Sequence, residues 1–150
     1  MKLSAVAVLL LMSCAASQSS APPEPWRLAV TTSGGITGRG NGGWAIDDEG
    51  KIAVTSMGGK RCAFEATAAE RSRFDTLFAK ARPETWRTSY VPENPCCDRI
   101  EYTMTIDHGG TQREVKWVDD PAPMPADLEA IVNAVIGVPS VRTEYGDKCM

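Results

Sequence analysis

The cysteines, one histidine and two knots of carboxylates are the side chains of this sequence with chemistry to offer. Cys96 and Cys97 are adjacent, with Cys62 upstream and Cys149 far downstream. A redox pair normally has two intervening residues and a helix N-terminus that lowers the thiol pKa. A structural zinc site needs Cys or His at short spacings in two pairs. Neither pattern is present, and no metal site or cofactor is expected. The sole histidine, His108, sits in a turn-like Asp107-His108-Gly109-Gly110 and is expected to be solvent-exposed, so a serine nucleophile has no base within reach. Asp47, Asp48 and Glu49 cluster in one turn and Asp119 and Asp120 in another. Paired acids can share a proton, but in glycine- and proline-rich connections they are ordinary turn and cap residues. The chain therefore reads as non-enzymatic.

The glycines at 34, 35, 38, 40, 42 and 43 lack the Gly-Lys-Ser/Thr ending of a phosphate loop, and no helix follows them. They make the stretch Ser33 to Gly43 a long, flexible or extended protrusion between two strands. Its exposed-looking Ile36 and lone Arg39 mark it as a candidate partner-binding loop, since loops carried by rigid scaffolds often carry function.

The fifth cysteine, Cys14, belongs to a different signal. Leu11-Met12-Ser13-Cys14 ends an apolar run that follows Lys2. The run from Leu3 to Met12 is about half the ~20 residues that span a bilayer, so it reads as the apolar region of a signal peptide. The ending resembles the lipobox of bacterial lipoproteins. Processing would remove residues 1–13, and Cys14 would become a lipidated N-terminus anchoring the chain to a membrane. Ala15 in place of Asp resembles lipoproteins sent to the outer membrane. Residues 14–25, with Pro22, Pro23 and Pro25, form a tether of about 30 Å in polyproline conformation.

In an exported chain the four remaining cysteines read as two disulfides. A bond between Cys96 and Cys97 is strained. Neighbours on a strand point to opposite faces, so each can reach a different partner. Cys62 is therefore expected to pair with one of the two and Cys149 with the other; which pairs with which stays open. The net charge is −3, with both signs scattered along the chain. Nucleic acid, which wants a clustered basic face, is excluded as a partner.

The elements that must position these residues are legible from their periods. Trp26, Leu28 and Val30 alternate with polar or small residues as a half-buried strand. Trp44 and Ile46 do the same, and Asp48-Glu49-Gly50 turns the chain into Ile52 and Val54. Thr67 and Glu70 form a capping box ahead of Phe74, Leu77, Phe78 and Ala81, and Pro83 ends that helix. Ile100, Tyr102, Met104 and Ile106 make the clearest strand, returning through the 107–110 turn into Val115 and Trp117. Pro125 opens a second helix with Leu128, Ile131, Val132 and Val135 as its stripe and Gly137 as its stop. The expectation is one α+β domain over residues 26–150, in the order βββαββα. It has an antiparallel sheet of about five strands with both helices on one face.

The first strand leading to Ser33-Gly34-Gly35-Ile36, the central helix, the strand Asp98-Arg99-Ile100-Glu101-Tyr102-Thr103-Met104 and the helix start Pro125-Ala126-Asp127-Leu128 together resemble emfourin. Emfourin-like proteins are small α/β inhibitors of protealysin-type, thermolysin-like zinc metalloproteases. The resemblance covers the order of elements from Trp26 to Gly137; the lipoprotein signal, the four extra cysteines and the tail after Gly137 depart from it. It implies a zinc metalloprotease as partner. Ser33, Gly34, Gly35 and Ile36 would lie in its cleft like a substrate, with Ile36 in the apolar pocket for the residue after the scissile bond. The competing expectation is a structural or interaction lipoprotein of the envelope with no inhibitory role.

Overall fold

The computed structural model describes residues 24–35, 40, 42–56, 58–93 and 98–136, the last of these in its backbone only. Cys14, Ile36, Cys96, Cys97 and Cys149 lie outside the described residues. The elements are β1 (Trp26–Gly34), β2 (Gly43–Asp47), β3 (Lys51–Thr55), β4 (Arg61–Glu65), α1 (Ala68–Phe78), a 3-10 turn (Pro83–Thr85), β5 (Ser89–Tyr90), β6 (Ile100–His108), β7 (Thr111–Val118) and α2 (Ala126–Ile136).

The fold is α+β, as the periods predict, but the sheet is larger and not purely antiparallel. Seven strands run in the order β4-β3-β2-β1-β6-β7-β5, and β5 pairs with β7 in parallel. Two strands escaped the sequence reading for different reasons. β5 is two residues long, too short to show a period of two. Its neighbourhood is held instead by isolated backbone bonds, Lys116 N–H to Thr88 O at 2.9 Å and Ala122 N–H to Tyr90 O at 2.8 Å. β4 does alternate, with Cys62 and Phe64 half-buried between exposed Arg61, Ala63 and Glu65, but it offers only those two inward positions.

The long central strand β1 pairs with β2 on one side and β6 on the other, and its register brings Leu28 opposite both Ile46 and Ile106. These residues, with Val30, Ile52, Met104, Val115 and Trp117, form the inner face, and all are buried. Both helices cover that face. Phe74 and Phe78 of α1 and Leu128, Ile131, Val132 and Val135 of α2 are buried in the same core. Each large side chain so buried is worth about 1.5–3 kcal/mol. Trp26 shows how specific the packing is: its ring stacks on Phe78 at 4.7 Å and its indole N–H donates to Asp75 at 2.8 Å.

α1 begins as its sequence requires, with Thr67 Oγ1 accepting from Glu70 N–H and the Glu70 carboxylate accepting from Thr67 N–H. It ends at Phe78, so Ala81 packs against the core from beyond the helix rather than from its stripe. His108 also departs from expectation. The turn is only Gly109 and Gly110, both at positive φ, the geometry of a two-residue hairpin whose twist matches its strands. His108 is therefore the last residue of β6. Its ring lies against Phe78 at 5.7 Å, and its side chain is 19% exposed rather than solvated.

Candidate functional site

The candidate loop leaves the C-terminal end of β1, the one strand with three neighbours' length of sheet on each side. Its base is a set of backbone bonds. Thr32 N–H donates to Gly42 O at 3.0 Å, Gly40 N–H to Gly34 O at 3.0 Å, and Gly35 N–H to Arg99 O at 3.1 Å. The loop is pinched at Gly34 and Gly40 and hung on the start of β6.

This explains glycines that the sequence alone presents as a sign of flexibility. Gly34 has φ +80°, and a Cβ there would stand 2.5 Å from Arg99 O. Gly40 has φ +64°, and a Cβ would meet the Thr32 carbonyl at the same distance. Both positions need left-handed backbone and no side chain. Gly35 is left-handed as well, so the backbone at Gly34 and Gly35 departs from the extended form of a bound substrate. Ser33 is exposed opposite Glu101.

The strand that carries the loop base is itself clamped. Asp119 accepts from the Tyr102 hydroxyl at 2.9 Å and from Ile100 N–H at 3.3 Å. The Arg99 guanidinium donates to Asp120 O at 3.2 Å and lies 3.7 Å from the Asp120 carboxylate. The acid pair Asp119 and Asp120 is thus a fastening between the end of β7 and the start of β6. The role of Arg99 carries no sequence signal, because its loop contact is made by a backbone carbonyl. Tyr102 also stacks on Trp117 at 5.1 Å and 5°. With Val118, Asp119, Met124, Val132 and the chain from Pro121 to Pro123, the two rings line a cleft of about 630 Å³ behind the clamp.

The other carboxylate knot is structural too. Asp47 accepts from Lys51 N–H at 2.9 Å across the β2–β3 turn, and Glu49 pairs with the Lys51 ammonium. That pairing lowers the Glu49 pKa and raises that of Lys51. Among the described residues no group of three His, Cys, Asp or Glu side chains is placed to hold a metal ion, and no helix is long and apolar enough to cross a membrane. Cys62 is disulfide-bonded and half-buried on the inner side of β4.

Searches against protein-family models, curated proteins and solved structures find no match to this chain.

Proposed function

We propose that this chain is a lipid-anchored, non-enzymatic binding protein of the bacterial cell envelope. Cys14 carries the anchor, and the loop at the end of β1 presents Ile36 to a thermolysin-like zinc metalloprotease. The observation that carries the reading is the pinch, Gly40 N–H on Gly34 O and Gly35 N–H on Arg99 O, at the end of the central strand. A loop whose base is held in this way loses less conformational entropy on binding than one with a free base. The left-handed backbone at Gly34 and Gly35 refines the mode of contact: these two residues deliver the tip, and Ile36 supplies the apolar contact. The leader and the proline-rich tether support the location, and the resemblance to emfourin supports the protease as target.

The same crowding also favours a second reading. Gly34 and Gly40 are required by close backbone approach whether or not a partner exists. An envelope lipoprotein with no inhibitory role would need them equally.

Inhibition of a protealysin-type protease by the full chain decides between the two. Ile36→Asp, which leaves the glycines in place, is expected to abolish inhibition. No inhibition by the unaltered chain, or full inhibition by Ile36→Asp, would sink the inhibitor reading.

A further inference from the structure

The cleft behind the Asp119 clamp, about 630 Å³, is of the size that holds a small molecule. Its buried lining is apolar and comes from Trp117, Val118 and Val132. Its exposed lining includes Asp119, Glu129 and Asn133. The wall from Pro121 to Pro123 is fixed from behind, because Ala122 N–H donates to Tyr90 O at 2.8 Å and the Arg87 guanidinium to Pro123 O at 3.2 Å. The cleft is therefore built into the fold, as preformed sites are.

The charge of the lining has one sign. Asp119 and Glu129 bring carboxylates, and no lysine, arginine or histidine lines the cleft. The two arginines that brace the surrounding chain are engaged elsewhere: Arg87 lies over the Tyr90 ring at 4.7 Å, and Arg99 lies 3.7 Å from the Asp120 carboxylate. Asp119 already accepts from Tyr102 and from Ile100 N–H. Glu129 and Asn133 differ from it. They stand four residues apart on α2, a spacing that puts them side by side, and among the described residues neither side chain has a hydrogen-bond or ion-pair partner.

We propose that this cleft binds a small organic cation with an apolar body. Its ammonium would sit at the Glu129 carboxylate and the Asn133 amide oxygen, and its body would lie against Trp117, Met124 and Val132. The aromatic lining favours the same sign, since ring faces attract cations. An anion of the same shape would meet two carboxylates and no counter-charge. A neutral ligand would strip water from Glu129 and return nothing to it. The site shares no residue with the Ser33 to Ile36 loop and does not depend on a protease target.

Titration of the full chain, disulfides intact and in non-ionic detergent, with tryptamine, phenethylamine and benzyltrimethylammonium tests the site. The readout is the indole resonance of Trp117, whose N–H is buried without a hydrogen-bond partner; the resonance is assigned by its loss in W117F. At neutral pH all three probes are cations, and at least one is expected to shift that resonance saturably. Indole-3-propionate, an anionic counterpart of tryptamine, should bind at least about tenfold more weakly. Glu129→Gln should weaken the cation about fivefold and Glu129→Lys more, both with an unchanged circular dichroism spectrum because Glu129 is exposed. No saturable shift with any of the three cations up to about 10 mM would overturn the proposal. So would equal binding of indole-3-propionate, or a Glu129→Gln chain that binds the cation as tightly as the unaltered one.

Discussion

Trp86 donates its indole N–H to a carboxylate oxygen of Asp127 at 3.0 Å, and the same oxygen accepts Arg82 N–H at 2.9 Å. The first turn of α2 is thereby tied to the segment that follows α1. Partial burial pushes the Asp127 pKa up, but the Arg82 and Trp86 donors outweigh it and hold the group below its ordinary value. The folded state therefore binds this proton less readily than the unfolded chain. The contribution is present above the unfolded carboxyl range and is lost as pH falls through the folded value. The denaturation midpoint should fall between neutral pH and about pH 3, with a smaller fall in Asp127→Asn. Equal slopes in the two proteins would remove Asp127 from the account.

The stack of Trp26 on Phe78 joins the first residue of β1 to the last of α1. Phe78→Ala is expected to cost about 3–5 kcal/mol in urea unfolding, because neither the sheet nor the helix can collapse into the space. Trp26 emission should shift to the red in the folded variant. A cost within the range of a surface substitution would mean that α1 is not fastened through this contact.

Much of this arrangement is legible in the sequence wherever a period repeats three times or more. Trp26, Leu28 and Val30 fix β1, Ile100 to Ile106 fix β6, and Leu128 to Val135 fix the buried stripe of α2, while Thr67 and Glu70 mark the start of α1. The losses are physical. Ser89 and Tyr90 hold their place through two backbone bonds contributed by distant residues. His108 reads as a turn residue until the two-glycine hairpin shortens the turn and leaves the ring against Phe78. In the candidate loop the glycines are visible, but their cause is not, because the crowding comes from carbonyls of Arg99 and Thr32 that carry no sequence signature.

Gly34 and Gly59 provide an internal control for that crowding. Both have φ near +80°, but a Cβ at Gly34 would stand 2.5 Å from Arg99 O, whereas at Gly59 nothing lies within 4 Å. Gly59→Ala should cost only the left-handed strain, about 1–2 kcal/mol. Gly34→Ala must in addition displace the start of β6 and should cost more, on the order of 3 kcal/mol. Equal costs in chemical denaturation would show that the loop base yields easily and does not fix the tip.

Cys62 sits on the inner side of β4, opposite Val54, in a strand at the edge of the sheet. A disulfide there restricts the unfolded chain. Cys62→Ser is expected to cost about 2–5 kcal/mol, with β4 and β3 losing hydrogen-exchange protection before β1 and β6. The substitution also exposes the partner, since the unfolded, unreduced variant should show one newly titratable thiol. Peptide mapping of that thiol to Cys96 or Cys97 would tie β4 to the segment ahead of β6, and mapping to Cys149 would tie it to the chain beyond α2. Unchanged stability would show that the strand ladder holds β4 without the bond.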